Sequence, residues 1–249
     1  MEDPNLSNNF KNDLRKILNN EVSEKINEEQ YLNLIDLNRL KNKFKRIGEI
    51  GVIFIHINKA GGTSISSALY GGEQDENGLV RTHGHAKWWF YKAYFGAEKY
   101  NKFFKFAIVR NPYDRFVSIF HYLKKGGNNP SDKNFYEQYF DQDTTFEEFV
   151  NGTIKDNKLQ NISHIKPQYP FIYNIKKELK INYIGRLEEI NKSIEYVQNF
   201  CPHKIQLEKL NSSKHDHYTK YYNSSLQKIV SDYFRLDFEY LGYSKYFNT

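Results

Sequence analysis

One stretch constrains this chain more than any other. Gly51-Val52-Ile53-Phe54-Ile55-His56-Ile57 is a short β-branched run opened by glycine, and it passes straight into Asn58-Lys59-Ala60-Gly61-Gly62 and Thr63-Ser64-Ile65-Ser66-Ser67-Ala68-Leu69. An unbroken apolar run of this length suits a strand buried on both faces, and the segment from Thr63 suits the first turns of a helix. Between them, two glycines let the backbone bend until successive N–H groups converge on one point. Such a corner is an anion site. The amides and the helix dipole supply partial positive charge, the Thr63 and Ser64 hydroxyls add donors, and Lys59 adds a full charge. The plain alternative is an ordinary strand–turn–helix corner with a surface lysine. A Walker A loop is excluded by order: there the lysine follows the second glycine, whereas Lys59 precedes both.

The same order of elements recurs. Phe104-Lys105-Phe106-Ala107-Ile108-Val109 reads as a second buried strand, followed by Asn111-Pro112 and a helix from Tyr113 to about Leu123, with proline in its favoured first-turn place. Asn182-Tyr183-Ile184-Gly185 and then Leu187 to Phe200 give a third strand–helix pair. Strands alternating with helices predict an α/β fold, a central parallel sheet with helices on both faces. Residues 1–48 are polar, with Leu32, Ile35, Leu37, Leu40 and Phe44 at near-helical spacing, and predict an N-terminal helical extension to one domain over residues 49–249. Gly126 to Asn134 reads as a loop. Thr144 with Glu147 reads as a capping box opening a helix over Phe146 to Val150, and Ser224 with Gln227 as the cap of a last helix ending near Asp237.

Composition narrows the class further. A chain of 249 residues suffices for one sizeable core. The single cysteine, Cys201, excludes an internal disulfide. No stretch is apolar enough to span a bilayer, and residues 1–20 lack the apolar middle of a signal peptide, so a cytoplasmic protein is expected, with a lumenal one only if an anchor has been removed. The net charge of +6 suits an anionic ligand, but the cations are scattered and form no basic run, so a solvated basic surface serves as well and no nucleic-acid partner is expected. His203, His215 and His217 lack companions at ligand spacing, so no metal site is expected.

The second strand ends at Arg110, an expensive place for a guanidinium that lacks an anion. Ser118 lies two helical turns beyond Pro112, where its hydroxyl can share an anion with the Arg110 fork. Arg110 paired with a structural carboxylate is the alternative. Arg115 with Asp114 reads as a pair of surface charges.

Together the two loops resemble the sulfotransferase superfamily, in which the first binds the 5′-phosphosulfate and the second, an arginine followed eight residues later by a serine, binds the 3′-phosphate. The likeness extends over residues 51–243 and is nearest to the carbohydrate branch of heparan sulfate 2-O-sulfotransferase and the chondroitin sulfotransferases. His83-Gly84-His85 lies between the loops where the 2-O-sulfotransferases carry His-Gly-His. Tyr183-Ile184-Gly185-Arg186-Leu187-Glu188 is similar to the family's strand end, and Tyr233 to Tyr243 to its closing helix. The resemblance implies a P-loop-like sulfotransferase fold. It implies 3′-phosphoadenosine 5′-phosphosulfate as donor, adenosine 3′,5′-bisphosphate as product, no metal, and a hydroxyl of a glycan as acceptor.

On that resemblance, Lys59, Ala60, Gly61, Gly62, Thr63 and Ser64 hold the 5′ end of the donor, and Arg110 and Ser118 the 3′ end. Asn211-Ser212-Ser213-Lys214 is similar to a segment that closes over the nucleotide, with Ser212 and Ser213 as contacts, although a polar loop serves equally. His85 is expected to be the general base, with His83 assisting it or holding the substrate, since imidazole suits proton removal near neutral pH. His164 either lines the acceptor site or is a loop residue with a backbone partner. His56 reads as structural. Trp88, Trp89 and Phe90 read as core aromatics or as platforms for sugar rings. A nucleotide-dependent kinase, a non-carbohydrate acceptor and a basic nucleic-acid-binding module are the rival readings.

Overall fold

The computed structural model describes residues 8–22, 37–71, 73–74, 80–81, 85–127, 130–159, 162–207 and 215–247. The chain divides into two compact units. The first comprises Met1–Ile57, Gly61–Ile108 and Pro170–Leu210; the second comprises Asn58–Ala60, Val109–Tyr169 and Asn211–Thr249.

The first unit carries the sheet. Strand β1 (Val52–Ile55) is buried at all four positions and runs parallel to β4 (Phe104–Val109), with Val52 opposite Phe104 and Ile55 opposite Ala107. Strand β5 (Tyr183–Arg186) lies on the other side of β4, giving the order β1-β4-β5. A separate antiparallel pair joins β2 (Glu73–Gln74) to β3 (Val80–Arg81). Helix α1 (Asn8–Glu21) packs on α4 (Trp88–Phe95), where Phe10 meets Phe90 edge-on at 5.8 Å and Lys92 reaches Glu21 at 2.6 Å. Helix α2 (Leu37–Ile50) adds Phe44, stacked on Phe90 at 5.9 Å. Of the expected apolar stripe, Leu32 and Ile35 lie outside the described residues. The tryptophans settle as core: Trp88 and Trp89 are buried, and the Trp88 indole donates to the Tyr173 carbonyl at 3.2 Å.

Helix α3 (Gly62–Tyr70) follows the first turn, and α5 (Ala97–Lys102) leads into β4. Helix α9 (Ile190–Gln198) follows β5 after a turn of 3₁₀ helix at Leu187–Glu189. The fold is therefore α/β, as expected from the alternation of strand and helix.

The second unit is helical. It gathers α6 (Pro112–Lys124), α7 (Pro130–Glu137), α8 (Phe146–Val150), α10 (Ser224–Tyr233) and α11 (Arg235–Leu241) around Phe116, Phe120, Phe149, Phe234 and Phe238. Four local expectations need correction here. The capping box on α8 is Thr145 with Glu148, one residue later than expected. Thr144 is instead committed to Asp141, accepting from its backbone N–H and donating to its carboxylate, each at 2.9 Å. The cap of α10 is Asn223, whose side-chain oxygen accepts from the Leu226 N–H at 2.9 Å. The last helix breaks at Phe234, whose backbone (φ −95, ψ 24) leaves the helical range, and a second helix then runs to Gly242. The segment read as a loop to Asn134 already turns helical at Pro130, a residue pre-set for the first position of a helix.

Candidate functional site

Asn58, Lys59 and Ala60 belong to the second unit. Asn58 is fully buried: its amide donates to Ser163 Oγ at 3.1 Å and its carbonyl accepts from Arg115 Nε at 2.9 Å. Lys59 holds a left-handed backbone (φ 61), which costs a side-chain-bearing residue about 1–3 kcal/mol and is kept only where the surroundings enforce it. Its Nζ stands 4.1 Å from the centre of the Tyr122 ring, and its carbonyl faces Arg110 Nη1 at 3.4 Å. Burial first, then the charges of Arg110 and Arg115 against that of Asp132, holds the ammonium down to about 8 from an ordinary 10.5. Charge is expensive at this nitrogen, and an arriving anion would relieve it.

Arg110 follows β4 and is fixed through its backbone. Its N–H donates to Gln168 Oε1 at 3.0 Å, and Gln168 Nε2 donates to its carbonyl at 2.8 Å. Gln168 is fixed in turn. Its own N–H donates to both oxygens of Asp237, at 2.9 and 2.8 Å, and the Tyr169 N–H donates to the same carboxylate at 2.8 Å. Burial lifts the Asp237 carboxyl to about 6, against the charge of Arg115 and those backbone donors. The Arg110 guanidinium gives its Nε to Asp114 at 2.7 Å and turns Nη1 to Lys59. The carboxylate pairing weighed for Arg110 from the sequence is therefore present, with Asp114 as partner.

The expectation for Arg115 is overturned. It is not a surface charge but a fully buried strut, giving Nε to the Asn58 carbonyl and Nη2 to the carbonyls of His164 and Lys166, at 2.8 and 2.9 Å. Helix periodicity explains the exchange: Asp114 lies one turn beyond Arg110, so Arg110 takes the carboxylate while the next residue faces the core. Ser118 is buried on α6, one turn beyond Asp114. His164 is half-buried. Its ring lies 5.0 Å from the Tyr122 ring, and burial, then Lys59 and Arg115, lower it to about 4, so it is neutral at physiological pH.

In the first unit, Gly61 (φ 73) caps α3, and Gly62, Thr63 and Ser64 form its first turn. A Cβ on Gly62 would fall 2.1 Å from His56 Cδ2, so the buried imidazole demands glycine there. The His56 ring lies 4.4 Å from that of His85, and the His56 carbonyl meets His85 Nδ1 at 3.1 Å. A carbonyl only accepts, so Nδ1 carries a proton, and in the neutral ring this leaves the lone pair on Nε2. His85 itself is exposed.

The expected site residues thus fall into two groups. Lys59, Ala60, Arg110 and Ser118 belong to the second unit, where Lys59 and Arg110 touch. Gly61, Gly62, Thr63, Ser64 and His85 belong to the first, where His85 is joined to the Gly62 corner through His56. His83, Ser212 and Ser213 lie outside the described residues. Gln168, Asp237, Tyr122 and Asp132 were not singled out from the sequence.

A lysine at a glycine turn and an arginine at the next strand end suit an anion with two charged ends, and comparison with known families decides what uses it here. The sequence pattern of the sulfotransferase family fits residues 42–244 of the 249. The chain belongs to the sulfotransferase family. No curated protein and no solved structure matches it. As a sulfotransferase it is a sulfuryl-transferring enzyme with a hydroxyl-bearing acceptor, which displaces the kinase and nucleic-acid readings. No described helix of this sulfotransferase is long and apolar enough to cross a membrane.

Proposed function

We propose that the enzyme takes its sulfuryl group from 3′-phosphoadenosine 5′-phosphosulfate and places it on a carbohydrate hydroxyl, with His85 as base and no metal. The observation that carries this reading is the contact between Arg110 and Lys59: two cations from different strand ends, 3.4 Å apart at the nearest guanidinium nitrogen and carbonyl oxygen. The donor set fits the ligand. An ammonium whose charge is costly, a half-committed guanidinium and the open N-terminus of α3, contiguous in sequence with Lys59, all select an anion.

The donor supplies a sulfur centre whose bond to a phosphate oxygen breaks as the acceptor oxygen bonds to sulfur. Lys59 and the Gly61–Gly62 amides meet the negative charge that grows on the departing oxygen, the kind of preorganised stabilisation that supplies most of the rate in such transfers. Arg110 and Ser118 hold the 3′-phosphate, and Ser212 and Ser213 are further nucleotide contacts. His85 Nε2 takes the acceptor's proton as the new oxygen–sulfur bond forms, with His83 assisting it or holding the substrate. We place residues 1–48 as an N-terminal extension to a catalytic domain over 49–249, in the cytoplasm.

The test is transfer of labelled sulfate from the adenosine donor to a panel of glycan, phenol and peptide acceptors, with chelator present. His85→Ala is expected to lower turnover by about 10²–10⁴-fold while donor affinity stays near wild type. Turnover close to wild type in that variant removes His85 as the base. Labelling of phenols or peptides and of no glycan removes the carbohydrate assignment.

A further inference from the structure

Lys59 is surrounded by charged and polar groups, of which Arg115, His164, Asp132 and Tyr122 have no task in the proposed chemistry. Arg110, itself paired with Asp114, and Arg115 face it with positive charge, and His164 lies near it, neutral. Against these stands Asp132 on α7, buried, the carboxylate whose charge acts on Lys59 in the opposite sense. Tyr122 on α6 ties the arrangement together. Its hydroxyl donates to Asp132 Oδ2 at 2.6 Å, while the face of its ring lies 4.1 Å from Lys59 Nζ. His164 Nδ1 lies 3.8 Å from the other carboxylate oxygen, Oδ1. The preceding turn is built to admit this carboxylate: a Cβ on Gly127 (φ 63) would fall 2.4 Å from the Asp132 Cβ. A buried carboxylate held this closely, beside a desolvated ammonium that Arg110 and Arg115 face with like charge, has an electrostatic reason to be there.

We propose that Asp132, fixed by Tyr122, is the positioning residue that keeps Lys59 charged and seated for the departing oxygen. The proposal rests on the role given to Lys59 above. Asp132 acts through Lys59 and does not touch the reacting atoms. Tyr122 serves twice, its ring face favouring the ammonium and its hydroxyl fixing the counterion. Loss of the carboxylate leaves Lys59 among Arg110 and Arg115 in a desolvated place, so it gives up its proton at lower pH.

The experiment is a pH titration of the full chain carrying ¹³Cε-lysine, followed by NMR, with the Lys59 resonance assigned by its disappearance in Lys59→Met. Wild type should titrate with a midpoint near 8. Asp132→Asn should lower that midpoint by about one pH unit, and the basic limb of kcat/KM for the donor should fall with it. Tyr122→Phe keeps the ring and removes only the hydroxyl, and should produce a smaller fall. It also carries the test if Asp132→Asn does not fold. A Lys59 midpoint that stays put in whichever of these variants gives a native amide spectrum overturns the proposal. Near-wild-type turnover in Lys59→Met overturns the catalytic role of Lys59 instead, and the NMR midpoints still decide whether Asp132 holds its charge.

Discussion

The two turns of the second unit handle positive charge in opposite ways. At the 58–60 turn, Lys59 sits on a left-handed backbone with its ammonium desolvated and pushed down to about 8. Along 110–118, the arginines are occupied by the protein itself, Arg110 by Asp114 and Arg115 by three backbone carbonyls. Arg115 thus holds the fold together, Arg110 gives part of its fork to Asp114, and Lys59 is left with the most to gain from an incoming anion. Position in the chain does not announce this division, since Arg110 and Arg115 are only five residues apart on one strand–helix junction.

Substitutions that remove one cation at a time can break that comparison. Arg115→Leu strips the donor from three backbone carbonyls around a fully buried guanidinium and is expected to cost about 3–5 kcal/mol, read as a lower urea midpoint or as failure to accumulate folded protein. Arg110→Leu removes a partly exposed pair and should change stability by no more than about 1 kcal/mol. It should weaken adenosine 3′,5′-bisphosphate binding by roughly ten- to a hundredfold, the worth of a charge-assisted hydrogen bond. Equal stability losses in the two variants would erase the distinction.

Lys59→Met should lower kcat by about 10²–10³-fold, as removal of one donor to a developing oxyanion does, while leaving the fold intact. Its smallest consequence concerns pH. With a folded value near 8 and an ordinary value of 10.5, the native protein loses this proton before the unfolded chain does. Across that window the unfolded state binds more protons, so this residue's contribution to stability rises with pH. Urea titrations at both ends of the window should show that extra rise in wild type and not in Lys59→Met. The same slope in both would mean that the ammonium is not desolvated.

Much of this was legible in sequence because it is local. The β-branched run of β1, the glycines at 61 and 62, and Pro112 at the start of α6 each act on their own neighbours, and strands and helices follow from them. What escaped is held by distant partners. Gln168 reaches Arg110 across 58 residues and meets Asp237 across 69, and neither residue type carries a sign of the other. Arg115 was misread for the same reason: beside Asp114 it has the look of a surface pair, and only the fold brings the carbonyls of Asn58, His164 and Lys166 to it. The shift of the α8 cap by one residue shows a smaller version of the problem, since Thr144 and Thr145 are equal candidates until Asp141 claims one of them.

The central claim is that Lys59 and Arg110 hold one bisphosphorylated adenosine without a metal. Calorimetric titration of adenosine 3′,5′-bisphosphate in chelator at pH 8.5, repeated in two buffers of different ionisation enthalpy, tests it directly. Tight binding accompanied by uptake of a fraction of a proton is expected, because the incoming phosphate restores charge to an ammonium held near 8. Binding that needs magnesium, or that is unchanged in Arg110→Leu and Lys59→Met, would contradict it.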